Sequence, residues 1–338
     1  MNILITGGAG FIGSNLFRYF ASKYPKYIFE ILDSLTYAGD LNNLTNTVYS
    51  DRLIFHHGDI RNVSLVENLV SKADIIINLA GETHVPRSVC DDKIFFETNV
   101  IGTDVLVNAI FKNDNQLKKL IHISTSEIYG STGDIQIDEN HILEPQNPYA
   151  SSKVGADRLV SSHIITHRIP AVIVRPFNQF GFRQHPEKAI PRFITSALLG
   201  EPITIYGDGS DCRDYMFVDN LANALEKIIF ADNLIGEVFN VGSESVISIL
   251  NLAEFIKDYI ELKTRIKVNI SFTEGRMSQS QKCIANSSKL KKLLDWNLSI
   301  SLEDGLRATI DWYIENPSWW KSKLAMRYVD TEKKKEKI

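Results

Sequence analysis

The constraint that most limits the fold lies at the N-terminus, where an apolar run meets a glycine motif. Residues 2–6 are mostly apolar, Gly7, Gly10 and Gly13 follow at once, and residues 14–23 have helical periodicity. Glycines between a strand and a helix allow a tight turn and let the backbone approach a pyrophosphate. The helix N-terminus offers free N–H groups and a partial positive charge to the same phosphates. The sequence therefore predicts a dinucleotide site at the edge of a parallel sheet.

An acidic residue follows the glycine motif at a spacing that indicates which dinucleotide binds. Asp33 lies 20 residues after Gly13, at the end of the apolar run 28–32. A carboxylate there accepts hydrogen bonds from a ribose 2′-OH and repels a 2′-phosphate, so NAD is favoured over NADP. Asp59 and Ile60 end a third apolar run and could face the adenine, although Asp59 could equally be a helix cap or a turn residue.

Strand-like and helix-like segments alternate through the first half of the chain. Further apolar runs occur at residues 74–80, 120–124 and 171–175, with helical spacing between them. This alternation predicts an α/β fold with a doubly wound (Rossmann) parallel sheet.

The alternation weakens after about residue 176, and loops lengthen. We therefore predict an NAD-binding Rossmann domain over residues 1–176, with a return segment near 214–243. A smaller α/β C-terminal substrate lobe is predicted over residues 177–325, followed by a charged tail over 326–338.

Composition argues against several other classes of function. The chain has 338 residues, of which 44% are hydrophobic, and its net charge of −4 does not favour nucleic acid or a membrane surface. No apolar run approaches the roughly 20 residues that span a bilayer, and the sequence starts in a strand rather than in a secretion signal. The three cysteines are scattered, so neither a disulfide framework nor a metal site is predicted. A cytoplasmic enzyme is expected.

A tyrosine and a lysine four residues apart suggest the chemistry. Tyr149 and Lys153 would lie one helical turn apart on the same face. An ammonium near a phenol lowers the pKa of the phenol, and the phenolate then accepts a proton from a sugar or steroid hydroxyl while hydride leaves the same carbon. The alternative is a solvated helix face, on which this spacing often arises by chance.

Together with the glycine motif, this pair resembles the extended short-chain dehydrogenase/reductases. More specifically, the chain is similar to the nucleotide-sugar 4,6-dehydratases, nearest the dTDP-glucose type. Late Trp319-Trp320 is also similar to that type. The resemblance extends from about residue 3 to residue 296 and rests on segments 33–44, 79–88, 97–103, 124–130, 147–153, 175–178, 186–191 and 206–209.

The resemblance implies a bound, recycled NAD and a set of catalytic groups. Tyr149 would take the proton of the C4 hydroxyl, Thr125 would hydrogen-bond the same oxygen, and Lys153 would also bond the nicotinamide ribose. Glu127 would remove the C5 proton, which an epimerase has no need to do. Ser126 stands where the dTDP-glucose enzymes generally carry Asp, so either Glu127 also donates to the leaving C6 oxygen or a water relays the proton through Ser126.

The resemblance also implies binding residues. Cofactor contacts are expected at Gly7, Gly10, Phe11, Ile12, Gly13, Asp33, Thr36, Asp59, Ile60, Leu79, Ala80, Gly81, Thr98, Tyr149 and Lys153. Substrate contacts are expected at Thr83, Asn178, Glu187, Lys188, Ile190, Arg213 and Arg276, of which the two arginines would clamp the phosphates. Helices over residues 98–111 and 149–163 resemble the pair that forms a homodimer in this superfamily.

The expected activity is conversion of a nucleotide-hexose to the 4-keto-6-deoxy sugar, with dTDP-glucose as the first choice of substrate and a UDP- or GDP-sugar possible. The alternatives within the same superfamily are a nucleotide-sugar 4-epimerase and a UDP-glucuronate decarboxylase. A non-enzyme alternative is an NAD-binding sensor or scaffold.

Overall fold

A seven-stranded parallel sheet organises the computed structural model, which describes residues 1–45, 47–113, 117–133, 135–274 and 283–326. In chain order the strands are β1 (Asn2–Thr6), β2 (Ile28–Asp33), β3 (Leu53–His57), β4 (Ile75–Asn78), β5 (Lys119–Ile123), β6 (Gln136–Ile137), β7 (Ala171–Pro176), β8 (Asn178–Phe180), β9 (Ile203–Tyr206), β10 (Cys212–Arg213), β11 (Tyr215–Phe217), β12 (Val238–Val241), β13 (Ile247–Ser248), β14 (Ile270–Thr273) and β15 (Ile284–Ala285).

Helices flank the strands on both faces. They are α1 (Phe11–Lys23), α2 (Val63–Val70), α3 (Val85–Cys90), α4 (Lys93–Phe95), α5 (Gly102–Lys112), α6 (Pro148–His167), α7 (Ala189–Leu198), α8 (Val218–Phe230), α9 (Ile249–Thr264), α10 (Ser288–Leu294), α11 (Leu302–Glu315) and α12 (Pro317–Lys321). A π-helical turn, Phe96–Ile101, joins α4 to α5, and short 3₁₀ turns occur at Leu41–Asn43, Ser50–Arg52, Ser126–Tyr129 and Leu324–Met326.

The strand order is β12-β7-β5-β4-β1-β2-β3, and every neighbouring pair is parallel. The predicted doubly wound parallel α/β fold is therefore confirmed. The chain moves outward from β1 in one direction to β2 and β3 and in the other to β4 and β5. The carboxyl ends of the strands meet at this switch point and form a crevice, which is where open α/β sheets bind ligands.

Both faces of the sheet are covered, which explains why its strands read as continuous apolar runs. On one face, Phe17 and Phe20 of α1 pack with Leu225 and Ile228 of α8. On the other face, α2 and α5 bury Val66, Leu69, Leu106 and Val107. The central strands are thereby fixed on both sides, and the loops at their carboxyl ends are held in place.

The second half of the chain contributes to the sheet and also builds its own apolar cluster. β12 pairs with β7, and α8 covers the sheet. Residues 218–241 therefore belong to the Rossmann sheet and the layer of helices that covers it. Away from the sheet, α7, α9 and α11 pack Phe193, Ile256 and Ile310 into a separate core. The boundary at residue 176 remains a prediction, and most of the proposed tail, residues 327–338, lies outside the described residues.

One stretch of the described chain, Lys93–Lys112, is long and apolar enough to cross a membrane by length and composition alone. It comprises α4, the π-helical turn and α5, and 44% of its most apolar window is buried inside the fold. α5 packs against α2 and α6, but more than half of the window is not buried. The expectation that no apolar run approaches the length of a membrane span is therefore wrong for this stretch by length and composition.

Candidate active site

The glycine loop has the geometry that phosphate binding requires. Gly7 has a φ of +69°, and a Cβ at this residue would lie 2.8 Å from the backbone nitrogen of Ala80. A Cβ at Gly13 would lie 2.6 Å from the Gly7 carbonyl oxygen. The loop therefore packs too closely for side chains at either position. Gly10 precedes α1 and has no side chain with which to cap it, so the first N–H groups of α1 face the crevice.

Asp33 ends β2 beside this loop and is buried. Its Oδ2 accepts a hydrogen bond from the Ala9 N–H at 2.9 Å and its Oδ1 accepts one from the Leu35 N–H at 2.8 Å. Burial raises the pKa of the Asp33 carboxyl, and these two donors and His57 oppose that rise. Each carboxylate oxygen keeps a lone pair, so the carboxylate is a suitable acceptor for a ribose diol and unfavourable for a 2′-phosphate.

The crevice between the glycine loop and the second half of the chain brings the predicted cofactor residues together. With the exceptions of Tyr149 and Lys153, all of them line it: Gly7, Gly10, Phe11, Ile12, Gly13, Asp33, Thr36, Asp59, Ile60, Leu79, Ala80, Gly81 and Thr98. Three residues predicted to contact substrate, Thr83, Glu187 and Lys188, line the same crevice. These groups fit a dinucleotide, because a glycine loop with no room for side chains at Gly7 and Gly13 and an acid at the ribose position line one crevice.

Sequence reasoning missed other residues of the crevice. They are Leu32, Ser34, Ala38, Gly39, Gly58, Arg61, Glu82, Ile94, Gln184 and His185. Arg61 illustrates the reason, because it forms ion pairs with Asp59 at 2.7 Å and with Glu97 at 2.6 Å. The Arg61 hydrogen bonds lower the pKa of the Asp59 carboxyl. Arg61 lies only two residues after Asp59, but its second partner, Glu97, is 36 residues away, so this ion-paired group could not be read from one local motif.

Thr125, Glu127 and Tyr149 meet at the carboxyl end of β5. Thr125 caps the 3₁₀ turn Ser126–Tyr129, and its Oγ1 accepts from the Glu127 N–H at 3.3 Å. The Thr125 hydroxyl lies close enough to the Tyr149 phenol to lower its pKa, and the Asn147 side chain likewise lies close enough to the Glu127 carboxyl to lower its pKa. Asn147 also caps α6, where its Oδ1 accepts from the Ala150 N–H at 2.9 Å. The start of α6 is thus tied to the turn that carries Glu127.

Tyr149 and Lys153 are both buried on α6. Their burial reverses the expectation that the Tyr149 pKa is lowered. Burial and the nearby Glu127 carboxyl raise the pKa of Tyr149 above its usual range, and the bond to Thr125 only partly opposes this. Burial also lowers the pKa of Lys153 to about 8, and its Nζ donates to the Ile123 carbonyl at 2.7 Å. The predicted lowering of the Tyr149 pKa is therefore wrong for the protein alone, because removal from water dominates and the Lys153 ammonium is not among the groups that oppose the rise.

Asp157, one turn beyond Lys153, is a supporting residue that sequence reasoning missed. It is fully buried, and its charge raises the pKa of Lys153 against the effect of burial. Hydrogen bonds from Arg175 and Arg158 hold the pKa of Asp157 down at about 2, despite its burial. The spacing Lys153–Asp157 was available as a signal, since residues four apart on a helix are neighbours.

Glu127 lies between the side chains of Thr125 and Tyr149 and charged residues of the second half of the chain. Burial raises the pKa of its carboxyl, while the charges of Arg213 and Lys188 and the bond from Asn147 oppose that rise. Arg213, on β10, also donates to the Cys212 carbonyl at 2.8 Å. Ser126 is buried beside Glu127.

The other residues predicted to contact substrate are not brought together in the crevice. Asn178 begins β8 and is partly exposed, whereas Ile190 belongs to α7 and is buried in the apolar core of the second half of the chain. Arg276 lies outside the described residues. Arg192, which sequence reasoning missed, is buried with its guanidinium 5.0 Å from the centre of the Tyr206 ring, and its charge and that of Arg213 both act on Tyr215.

The fold and this site define a class of protein: a dinucleotide-binding member of the extended short-chain dehydrogenase/reductases. The family described as "GDP-mannose 4,6 dehydratase" matches residues 4–309. The chain belongs to this family, whose members are NAD-dependent nucleotide-sugar hydro-lyases.

Curated relatives agree with that assignment. The low-salt glycan biosynthesis protein Agl12 of Haloferax volcanii is 41% identical over 93% of this chain and 99% of its own length. A dTDP-glucose 4,6-dehydratase of an Actinoplanes species is 35% identical, over 95% of this chain and its full length.

Solved structures share the architecture. DesIV, a dTDP-glucose 4,6-dehydratase from Streptomyces venezuelae with NAD and TYD bound, has a TM-score of 0.89 and 33% identity over 95% of this chain and 99% of that one. A UDP-glucose 4-epimerase from Thermotoga maritima, with UDP-glucose, has a TM-score of 0.85 and 28% identity over 94% of this chain and all of that one. The fold thus accommodates both reactions, and side chains at the site must distinguish them.

Proposed function

We propose that this protein converts a nucleotide-activated glucose, dTDP-glucose in the first instance, to the 4-keto-6-deoxyhexose by oxidation at C4, elimination of water across C5 and C6, and return of hydride to C6. The observation that carries the proposal is the position of Glu127. Its carboxyl lies in the same group of side chains as Thr125, Asn147 and Tyr149, where the turn after β5 meets the start of α6.

Oxidation at C4 depends on the hydroxyl groups of that cluster. Tyr149 accepts the proton of the C4 hydroxyl, and Thr125 holds the same oxygen, since a threonine hydroxyl both donates and accepts. NAD, when bound, supplies the acceptor for the C4 hydride and later returns it. Lys153 would bond the nicotinamide ribose, and Asp157 supports the charge of its ammonium.

Elimination requires an acid–base group near C5 and C6. The C4 ketone acidifies the C5 proton, and Glu127 removes it as general base. Because burial raises the pKa of Glu127, the carboxyl is well matched to accept a proton and to pass it on to the leaving C6 oxygen. We therefore assign both transfers to Glu127, with Ser126 as a neighbouring hydroxyl.

Binding of the nucleotide is assigned to the opening beside Glu127. Arg213 is the phosphate ligand, with Arg276 as the predicted second one. Thr83, Glu187 and Lys188 line the crevice and, with Asn178, are assigned to the sugar, ribose or base. The side chain of Ile190 is buried in the core, so its predicted contact with substrate is not retained. Arg192 over Tyr206 adds a second cationic side chain near Arg213. Guanidinium groups are suited to this task because they bind phosphate oxygens in pairs.

The assembly is proposed to be a cytoplasmic homodimer. The α5 and α6 segments present apolar side chains to the outside, among them Phe111 at 50% exposure and Ile165 at 76%. The Phe111 ring lies 4.1 Å from the ring of His167, so the two helices share this surface. A second copy that packs against it would bury these side chains.

The experiment that tests the reaction is incubation of the purified protein with dTDP-, UDP-, GDP- and CDP-hexoses, followed by mass spectrometry. Loss of one water from one of these sugars is expected. The second candidate, a 4-epimerase, is favoured by the Thr125–Tyr149 pair, which would suffice for it. Unchanged mass with altered C4 stereochemistry would establish the epimerase and contradict the proposal, as would loss of carbon dioxide from a UDP-glucuronate.

A further inference from the structure

The loop after β2 covers the dinucleotide crevice and is attached to a distant part of the chain. Asp33, Ser34, Thr36, Ala38 and Gly39 line the crevice, and the loop then enters the 3₁₀ turn Leu41–Asn43. We call residues 33–44 the cofactor strap. Its far end contacts α12 and the residues just after it, although nearly three hundred positions separate them in sequence.

Asn43 forms the first of these contacts and is buried. Its Oδ1 accepts from the Trp319 indole Nε1–H at 2.8 Å, and its Nδ2 donates to the Ala9 carbonyl at 2.8 Å. Because an indole N–H only donates and a carbonyl only accepts, this pair of partners fixes which way the Asn43 amide faces. Asn43 therefore links Trp319 to the backbone of the glycine loop through these two hydrogen bonds.

Asp40 forms the second contact. Its carboxylate is ion-paired with the Lys323 ammonium, and both side chains are largely shielded from water, at 18% and 13% exposure respectively. The other Asp40 oxygen, Oδ1, accepts from the Asn42 N–H at 2.8 Å, and the Asp40 N–H donates to the Ala9 carbonyl at 3.1 Å. The Lys323 ammonium also lies 4.5 Å from the centre of the Trp319 ring, so the two residues act as one unit.

Both contacts converge on Ala9, inside the phosphate-binding motif. The Ala9 carbonyl accepts from Asp40 and Asn43, while its N–H donates to the Asp33 carboxylate. Ala9 of the glycine loop is thus held through its N–H by Asp33 and through its carbonyl by Asp40 and Asn43 of the strap. A shift of the strap would move the turn that directs the α1 N–H groups toward a pyrophosphate.

We propose that Trp319 and Lys323 are positioning residues for the dinucleotide: from the C-terminal end of the described chain they hold the strap and the glycine loop in the form that retains NAD. The adjacent tryptophan has a different task. The Trp320 Nε1–H donates to the Tyr313 carbonyl at 2.8 Å, within the same C-terminal segment, and this ring is buried there. The Trp-Trp pair therefore offers a matched comparison.

The test uses the NAD-loaded full-length protein and the variants Trp319→Phe, Lys323→Met and Trp320→Phe. Each holoenzyme is diluted into buffer with a scavenger of free NAD, and bound NAD is followed over time, together with the affinity of the stripped protein for NAD. Loss of the hydrogen bond from the indole N–H to Asn43 predicts release about 3- to 10-fold faster for Trp319→Phe. Lys323→Met is expected to act in the same direction.

Trp320→Phe loses an equivalent hydrogen bond that does not reach the strap, so its NAD release is expected to match the parent. Release from Trp319→Phe at the parent rate would overturn the proposal. Equal acceleration in Trp319→Phe and Trp320→Phe would overturn it as well, because the effect would then be a general loosening of the C-terminal segment. Asn43→Ala removes the transmitting side chain and is expected to accelerate release in a protein whose C-terminal segment is unaltered.

Discussion

Arg175 holds Asp157 with two hydrogen bonds, Nε to Oδ2 at 2.9 Å and Nη2 to Oδ1 at 3.0 Å, and both side chains are shielded from water. Asp157 in turn supports the charge of Lys153, one helical turn away. The buried ion pair of Arg175 and Asp157 therefore adjoins Lys153, which is assigned with Tyr149 to the oxidation step.

Asp157→Asn is expected to lower the free energy of unfolding by about 3–5 kcal/mol, because Arg175 would lose its buried counter-charge. Denaturant unfolding of the two proteins measures the change. Arg158→Gln is the control, since the Arg158 side chain is 47% exposed and Asp157 keeps both bonds from Arg175. A larger loss from Arg158→Gln than from Asp157→Asn would contradict this account of the ion pair.

The buried ammonium of Lys153 predicts a pH dependence of stability. Its pKa is lowered in the folded protein from 10.5 to about 8, so between those values the unfolded chain binds more protons than the folded one. Stability linked to Lys153 should therefore rise with pH across this window by up to about 3 kcal/mol.

Urea unfolding of the cofactor-free parent and of Lys153→Met, at a series of pH values from 8 to 10.5, isolates this contribution as the difference between the two proteins. The difference should move in favour of the parent as pH rises. A constant difference would show that Lys153 does not titrate in that window.

Asp33 is expected to determine the choice of cofactor. In Asp33→Asn the side chain keeps its size but loses the negative charge that repels a 2′-phosphate. The ratio of NAD to NADP affinity, measured by titration of the stripped protein with each, should fall by about tenfold or more, since charge-assisted hydrogen bonds are the stronger ones. An unchanged ratio would remove Asp33 from the account of specificity.

Ser126 tests how the C6 hydroxyl leaves. Because the raised pKa of Glu127 suits it to donate as well as accept a proton, Ser126→Ala should keep water elimination within about threefold of the parent rate. Product formation is followed by mass spectrometry under single-turnover conditions. A loss of about a hundredfold or more would instead assign the proton relay to Ser126.

Much of the fold and the cofactor site could be predicted because their determinants are local. Gly7, Gly10 and Gly13 lie within seven consecutive residues, and the apolar run before Asp33 places that acid at a strand end. The Tyr149–Lys153 spacing likewise needs only a helix. These features can be read from a few consecutive residues.

Other parts of the site depend on long-range packing and could not be predicted. Arg175, on β7, reaches Asp157 on α6, and Trp319 reaches Asn43 across most of the chain. The predicted direction of the Tyr149 pKa shift was wrong for the same reason. Spacing identifies a neighbouring lysine, but it does not show that both side chains are removed from water.

Glu127→Gln provides the most direct test of the central claim, that Glu127 makes an oxidising site into a dehydratase. The amide keeps the shape of the side chain but cannot accept the C5 proton. The variant, mixed with dTDP-glucose, should reduce its bound NAD, seen as NADH absorbance, without releasing a product lighter by one water. Water elimination at the parent rate would contradict the account.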